Sequence, residues 1–162
     1  MRELKIPFEG KFQRFLPGGG YAAFRSFSPT GRVPVLLDGA SVVWDSLGIV
    51  EYLADRHDIV WPKDAAARVW ARCAASEMHS SFGALRSLCP MNCGLRVRLN
   101  GMTDALNADI ARVGELWNEG LSRYGGPFLA GTAFTAADAF CAPVAFRIQT
   151  YGLKLDAMST AY

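Results

Sequence analysis

The sequence predicts two parts, an α/β part over residues 1–57 and an all-α part over residues 64–162. In the first part, residues 8–15 alternate apolar and polar side chains, as a half-exposed strand does. An Asp-Gly pair at 38–39 also separates two short apolar runs, which is the strongest local signal of a β-hairpin. In the second part, apolar side chains recur at helical spacing from Ala65 onward.

The hairpin of the first part is expected to lead directly into a helix. Its first strand is the β-branched and aliphatic run 33–37, and its second strand is Val42-Val43-Trp44. An apolar stripe at helical spacing then predicts a helix over residues 46–57. Residues 58–63, which include the break Trp61-Pro62, are expected to link the two parts.

Three helices are predicted in the second part. The middle one extends over residues 103–124 and stops at a Gly-Gly-Pro sequence. The last one begins at Thr135, which forms a capping-box pattern with Asp138, and Pro143 should kink it. The first one ends at Pro90, and its apolar face consists of residues that recur every three or four positions: Trp70, Ala74, Met78, Phe82, Leu85 and Cys89.

The composition excludes several classes of protein. The 162 residues are 51% hydrophobic and 20% charged, as in a globular protein and unlike a disordered chain. The net charge is only +2 and the arginines are scattered, so we expect no nucleic-acid partner. No apolar stretch approaches the ~18 residues of a membrane span, and the N-terminus lacks the apolar run of a signal peptide. We therefore expect no membrane partner, and the four cysteines predict reduced thiols in a cytoplasmic protein.

The histidines and cysteines form no metal or nucleophile–base pattern. Cys89 and Cys93 have a suggestive spacing, but neither His57 nor His79 lies at a ligand-like distance from them in sequence, so we expect no metal. His57 is interpreted as a cation at a helix C-terminus. His79 is interpreted as a structural residue of a long helix.

Val33-Pro34-Val35 is the first candidate binding segment. A proline cannot donate to a sheet ladder, so within a strand it belongs at the first residue or at an edge. With a cis bond before Pro34, the backbone N–H and C=O of Val33 would turn outward and pair with an extended ligand. The alternative is an ordinary trans proline that opens a strand.

Asp45-Ser46 is the second candidate binding segment, because it opens the helix after the hairpin. The free N–H groups and positive dipole end of a helix N-terminus bind carboxylates. Ser46 would add a hydroxyl donor to such a carboxylate, and Asp45 would accept from an ammonium group. The alternative is plain N-capping, which Asp and Ser both perform.

Two groups of motifs occur in order along the chain. The first group is Ser28-Pro29-Thr30-Gly31-Arg32-Val33-Pro34-Val35-Leu36, Trp44-Asp45-Ser46-Leu47-Gly48-Ile49 and Glu51-Tyr52-Leu53. The second is Gly126-Pro127-Phe128-Leu129-Ala130-Gly131, Phe134-Thr135-Ala136-Ala137-Asp138 and Ala142-Pro143. Over roughly residues 1–152, the chain resembles the bacterial type of the cytosolic glutathione transferase family.

The resemblance implies a thioredoxin-like, glutathione-binding domain over residues 1–57 and an all-α helical domain over residues 64–162, usually in a homodimer. Such enzymes bind glutathione as a substrate. A Ser, Tyr or Cys near the first helix lowers the pKa of its thiol or attacks directly as a thiol, and the glutathione thiolate then attacks a small electrophile.

The resemblance also implies the roles of particular residues in binding glutathione. The backbone of Val33 would pair with the cysteinyl part beside a cis Pro34, and Asp45 and Ser46 would hold the γ-glutamyl end. Arg32 directly precedes Val33, at a position where the residue type varies among members of the family.

The electrophile would bind in a pocket between the domains, according to the same resemblance. Met78, His79 and Phe82 on the long helix would form one wall of that pocket.

The chain departs from the family pattern at both ends. The family has a strand and the start of a helix before a segment like residues 2–8, and further helices after the end of this chain. We therefore expect an incomplete thioredoxin-like domain without its first strand, in a truncated chain. Its catalytic residue is unknown, because none of Tyr21, Ser26 and Ser28 occupies the family's catalytic position. The alternative is a non-catalytic interaction module of the same fold, or a truncated remnant.

Overall fold

The computed structural model describes residues 1–15 and 21–162 and divides into two compact units. The first unit is Met1–Val60 and the second is Trp61–Tyr162. The first contains a β-hairpin with helices, and the second contains helices. This agrees with the predicted order of an α/β part followed by an all-α part.

The first unit is built on a two-stranded antiparallel hairpin. Strand β1 is Val35–Asp38 and strand β2 is Ser41–Trp44. Val35 pairs with Trp44 at the open end, and Asp38 pairs with Ser41 at the turn. The hairpin is therefore confirmed, but its loop is Gly39-Ala40 and not Asp38-Gly39. Gly39 supplies the positive φ, 56°, that a tight hairpin loop requires.

Two helices flank the hairpin, a short α1 at Tyr21–Phe24 before it and α2 at Ser46–Ala54 after it. The Tyr52 hydroxyl of α2 donates to Asp38 Oδ2 at 2.9 Å, which connects the helix to the hairpin. α2 ends three residues earlier than predicted, because the Arg56 N–H bonds to the Leu53 carbonyl and tightens the helix end. His57 therefore lies two residues beyond the C-cap Asp55, and the expectation that it ends the helix is wrong.

Residues 8–15 form no strand, although their side chains alternate. Among the described residues, the sheet contains only β1 and β2. Phe8, Phe12 and Phe15 are exposed at 45%, 86% and 73%, so the alternation does not produce a buried face. Strand prediction fails here because alternation cannot supply the neighbouring strand that would bind the backbone N–H and C=O groups.

The second unit consists of helices around a core of apolar side chains. α3 and α6 pack together, as do α4 and α5. Met78, Leu106 and Trp117 are among the fully buried residues of this core. The helices are α3 Ala65–Ser80, α4 Gly83–Leu88, α5 Asp104–Tyr124, α6 Ala136–Tyr151 and α7 Ala157–Ala161.

The single long helix predicted up to Pro90 is two helices, α3 and α4. The chain breaks at Ser81-Phe82, where Phe82 has φ 63° and ψ 46°, in the left-handed region. Asp109 of α5 accepts a hydrogen bond from the Leu85 N–H at 2.9 Å and so caps α4 from outside. Arg86 donates to the Ser81 carbonyl at 2.9 Å and to the Met78 carbonyl at the end of α3.

Both boundaries of α5 and the start of α6 match the prediction. Thr103 caps α5 by accepting from the Leu106 N–H at 3.2 Å, and Gly125 ends it with φ 66°. Asp138 of α6 accepts from the Thr135 N–H at 2.8 Å, as the capping-box pattern requires. Pro143 lies inside α6.

Candidate functional site

The two candidate binding segments leave the same end of the hairpin. Val35 and Trp44 form the last pair of the ladder, so Pro34 precedes one strand and Asp45 follows the other. Paired strands lie ~5 Å apart, and the two segments therefore begin as neighbours. A ligand of a few residues' length can contact both.

Val33-Pro34 lies just outside the hairpin ladder. The peptide bond between them is cis, in agreement with the resemblance. The Val33 side chain is 42% exposed, and the ladder begins only at Val35. This segment therefore presents its backbone at an exposed position.

Asp45 caps α2 in an unusual backbone conformation. Its Oδ1 accepts from the Leu47 N–H at 2.8 Å and its carbonyl accepts from the Ile49 N–H at 2.9 Å, so Asp45 is the N-cap of α2. Its φ of 68° with ψ 137° is a conformation that residues with a side chain rarely adopt. Strained backbone of this kind is often found at ligand sites. Ser46 is half-buried as the first helical residue.

Arg32 lies on an exposed loop, and the buried Ser28 side chain forms hydrogen bonds with its backbone. The Ser28 hydroxyl donates to the Arg32 carbonyl at 2.7 Å and accepts from the Arg32 N–H at 3.1 Å. Ser28 is 1% exposed. The sequence contains a signal for this contact, since serine favours the first position of a turn such as Ser28-Pro29-Thr30-Gly31. The signal does not reveal that the hydroxyl is buried.

The three residues expected at the electrophile pocket have different environments. Met78 and Phe82 are buried, at 0% and 4% exposure, among the core residues. His79 is half-buried, and its ring lies edge-on to Phe140 with the centroids 6.0 Å apart. Met78 and Phe82 therefore present no open surface to a ligand in this conformation.

The four cysteines are free thiols. Cys73 and Cys93 are exposed, whereas Cys89 and Cys141 are buried. Burial raises the pKa of Cys89, and it raises the pKa of Cys141 to about 12. These two buried thiols therefore remain protonated at neutral pH and are poor nucleophiles.

The described part of the chain contains neither a metal-binding cluster nor a membrane-spanning helix. Within residues 1–15 and 21–162, no group of three or more His, Cys, Asp or Glu side chains is arranged to hold a metal ion. No described helix is long and apolar enough to cross a membrane.

Two family models match most of the chain. The model of the glutathione S-transferase N-terminal domain matches residues 1–56, and that of the glutathione S-transferase C-terminal domain matches residues 94–162. The chain belongs to the glutathione S-transferase family. Its two units, an α/β unit followed by a helical unit, correspond to the thioredoxin-like and all-α domains of this fold.

Two individual proteins are similar to parts of this chain. Glutathione S-transferase 3 of Zea mays is 29% identical over an alignment of 130 positions that covers 72% of this chain and 55% of the maize protein. Dichloromethane dehalogenase of Methylophilus leisingeri is 47% identical over 32 residues, 20% of this chain and 12% of that protein. The chain thus spans about half the length of the maize relative.

Solved structures of the family share the fold. The theta class glutathione S-transferase of Xanthomonas axonopodis pv. citri, crystallised with glutathione bound, matches with a TM-score of 0.58 and 22% identity. The match covers 88% of this chain and 70% of that one. Glutathione S-transferase 1-6 of Anopheles dirus matches with a TM-score of 0.59 and 18% identity over 78% of this chain and 60% of that one.

Proposed function

We propose that this chain binds glutathione at the open end of the hairpin and transfers it to a small electrophile. The observation that most directly supports this proposal is the register of the hairpin, which brings Val33-Pro34 and Asp45-Ser46 to the same end. The α/β part over residues 1–57 would be the glutathione-binding domain, and residues 64–162 would be the helical domain. The Xanthomonas relative, whose structure contains glutathione, supports the choice of ligand.

Each end of glutathione has a partner of suitable chemistry in this site. The backbone N–H and C=O of Val33 would pair with the cysteinyl residue as an added strand does. The Ser46 hydroxyl and the first N–H groups of α2, apart from the Leu47 N–H that Asp45 already binds, would bind the γ-glutamyl carboxylate. The Asp45 carboxylate would accept from the γ-glutamyl ammonium, and the exposed Arg32 adjoins the same surface.

The reaction would be a nucleophilic substitution or addition by the glutathione thiolate. With an aryl halide, the sulfur forms a bond to the ring carbon, halide leaves with the electron pair of the broken bond, and the thiol proton passes to solvent. His79, with Met78 and Phe82 behind it, stays our prediction for one wall of the electrophile pocket.

We also propose a homodimer in the cytoplasm. Membership of the glutathione S-transferase family supports the dimer. The four free thiols support the location, because a reducing compartment preserves them.

Calorimetric titration of glutathione into the chain tests the binding site. Asp45→Asn should weaken binding by about 1–3 kcal/mol because it removes the charge from the acceptor of the ammonium group. It should leave the melting temperature nearly unchanged, because asparagine caps a helix as well as aspartate does. Ser46→Ala should weaken binding by a similar amount, about 1–3 kcal/mol.

Asp64→Asn is the matched control. Asp64 caps α3 through the Ala67 N–H at 2.8 Å, in the same way that Asp45 caps α2, but it lies in the second unit. It should bind glutathione as the wild type does. Equal binding by all the variants would disprove the site, and binding without conjugate formation from an aryl halide would disprove the transfer.

A further inference from the structure

Ser28 is a buried serine whose hydroxyl binds both backbone groups of one residue, Arg32. It donates to the Arg32 carbonyl at 2.7 Å and accepts from the Arg32 N–H at 3.1 Å. The Thr30 hydroxyl lies 3.4 Å from both Ser28 Oγ and the Arg32 N–H, too far for a strong bond. At 1% exposure, Ser28 cannot touch a ligand. Any effect that it has on binding must pass through Arg32.

The position of Ser28 is itself fixed by packing. Its N–H donates to the Phe24 carbonyl at 2.8 Å, and Phe24 is 2% exposed. The Phe24 ring contacts those of Phe15 and Phe27, with centroids 5.2 Å and 5.6 Å away. The Ser28 carbonyl accepts from the Gly31 N–H at 3.0 Å and closes the turn. The backbone of Ser28 is thus held by two hydrogen bonds, one of them to the buried Phe24.

The bond from Ser28 to Arg32 determines where the next N–H points. The Arg32 carbonyl and the Val33 N–H belong to one peptide unit, which is planar and, when trans, directs the two groups in opposite directions. Only the Val33–Pro34 bond is cis among the described residues. A hydroxyl that holds the Arg32 carbonyl on the interior side therefore directs the Val33 N–H outward.

We propose that Ser28 is a positioning residue for glutathione: its hydroxyl aims the Val33 backbone at the cysteinyl part of the ligand. This inference rests on the proposed function, because it concerns the same site. It assigns part of the affinity to a side chain that contacts no part of the ligand. Without the hydroxyl, the 28–33 loop samples other orientations, and the ligand must select the competent one.

A chemical double-mutant cycle tests the positioning role. Ser28→Ala and the wild type are titrated with glutathione and with an analogue in which a trans-alkene replaces the cysteinyl–glycyl peptide bond, so that it has no cysteinyl carbonyl to accept from the Val33 N–H. We expect Ser28→Ala to bind glutathione about tenfold more weakly than the wild type does. For the alkene analogue, the two proteins should differ by less than about twofold, because a pairing that is already broken gains little from an ordered loop.

Ser26→Ala is the matched control, since Ser26 is an exposed serine two residues before Ser28 that donates to the Ala23 carbonyl at 2.9 Å. It should bind glutathione as the wild type does. If Ser28→Ala does not fold, Ser28→Cys replaces it in the cycle, because a thiol fills the site but makes weaker hydrogen bonds.

Three results would overturn the proposal, and each has a different meaning. Unchanged affinity of Ser28→Ala would show that the loop is ordered without the hydroxyl. An equal loss for both ligands would show a general structural role. A wild-type chain that does not bind glutathione would instead refute the proposed function, and the positioning role with it.

Discussion

At the scale of single residues, Asp156 shows how strongly local hydrogen bonds stabilise a charge. Asp156 caps α7 by accepting from the N–H groups of Met158 and Ser159, at 2.9 Å and 3.1 Å. Its other oxygen accepts from the Ser159 hydroxyl and the Asn118 side-chain amide, both at 2.9 Å. The Ser159 N–H and then Asn118 are the main causes that lower the pKa of Asp156 to about 2. The ionised form is therefore favoured in the folded protein.

The lowered pKa of Asp156 predicts a pH-dependent contribution to stability. A carboxyl group with a depressed pKa stabilises the fold above its unfolded value, 3.8, and loses this effect as the pH falls through about 2. Asp156→Asn keeps an acceptor but cannot titrate. Its melting temperature should be below that of the wild type at neutral pH, and the difference should shrink between pH 3.8 and about 2.

Thermal unfolding followed by circular dichroism measures this difference, with Asp58→Asn as the control. Asp58 is an exposed aspartate of the first unit. A difference between wild type and Asp156→Asn that stays constant over the acidic range would contradict the assignment.

At the scale of helices, the sequence predicts boundaries well where the stopping signals are local. Thr103, Gly125 and Thr135 each lie within a turn of the groups that they cap, so the pattern alone locates α5 and α6. The break between α3 and α4 could not be predicted in this way. Its cap is the Asp109 carboxylate, which is 24 residues away in sequence from the N–H that it binds.

The residues of the candidate site also differ in whether a local sequence pattern is enough to predict their role. Val33-Pro34 and Asp45-Ser46 are recognisable because their motifs are short and contiguous. The function of Ser28 depends on its burial, which Phe24 and its ring contacts produce. No local pattern contains that information.

Helix α5 contains two buried glycines that should respond to alanine in opposite ways. A Cβ at Gly120 would meet the Trp70 ring and lie 2.5 Å from the Leu129 carbonyl oxygen. The backbone oxygen cannot move aside cheaply, so Gly120→Ala should destabilise the protein by about 1–3 kcal/mol. At Gly114 the nearest atom is 3.6 Å away, an ordinary contact, so Gly114→Ala should stabilise by up to about 1 kcal/mol through helix propensity.

Urea unfolding of the two alanine variants measures both effects on one helix. Because the substitution and the element are the same, a change in helix propensity alone predicts equal shifts. Destabilisation by Gly120→Ala alone would confirm the close approach of α3 and the 129 loop to α5. Equal stabilisation by both variants would contradict it.

At the scale of the whole molecule, the two units differ in how much apolar surface they bury. Among the residues that the structure describes, the buried apolar side chains of the first unit are Ile6, Phe24, Leu53 and Val60. The second unit has more than twenty such side chains, from Trp61 to Leu153. The sequence predicted both parts, but not this imbalance, because the apolar residues of the first unit include several that stay exposed, such as Leu37 and Trp44.

The imbalance predicts a gradient of local stability that hydrogen exchange can measure. Segments with few buried apolar contacts open at low free-energy cost, whereas core helices open only with the global transition. Peptides over residues 104–124 should therefore exchange slowest, those over 35–54 faster, and those over 8–15 at once, since residues 8–15 have no regular structure.

Glutathione should add protection to residues 28–49 through the linkage of binding to local opening. Equal protection of 35–54 and 104–124 without ligand would mean that burial does not set the stability of the hairpin. If glutathione added protection only in the second unit, its binding site would not be at Val33 and Asp45.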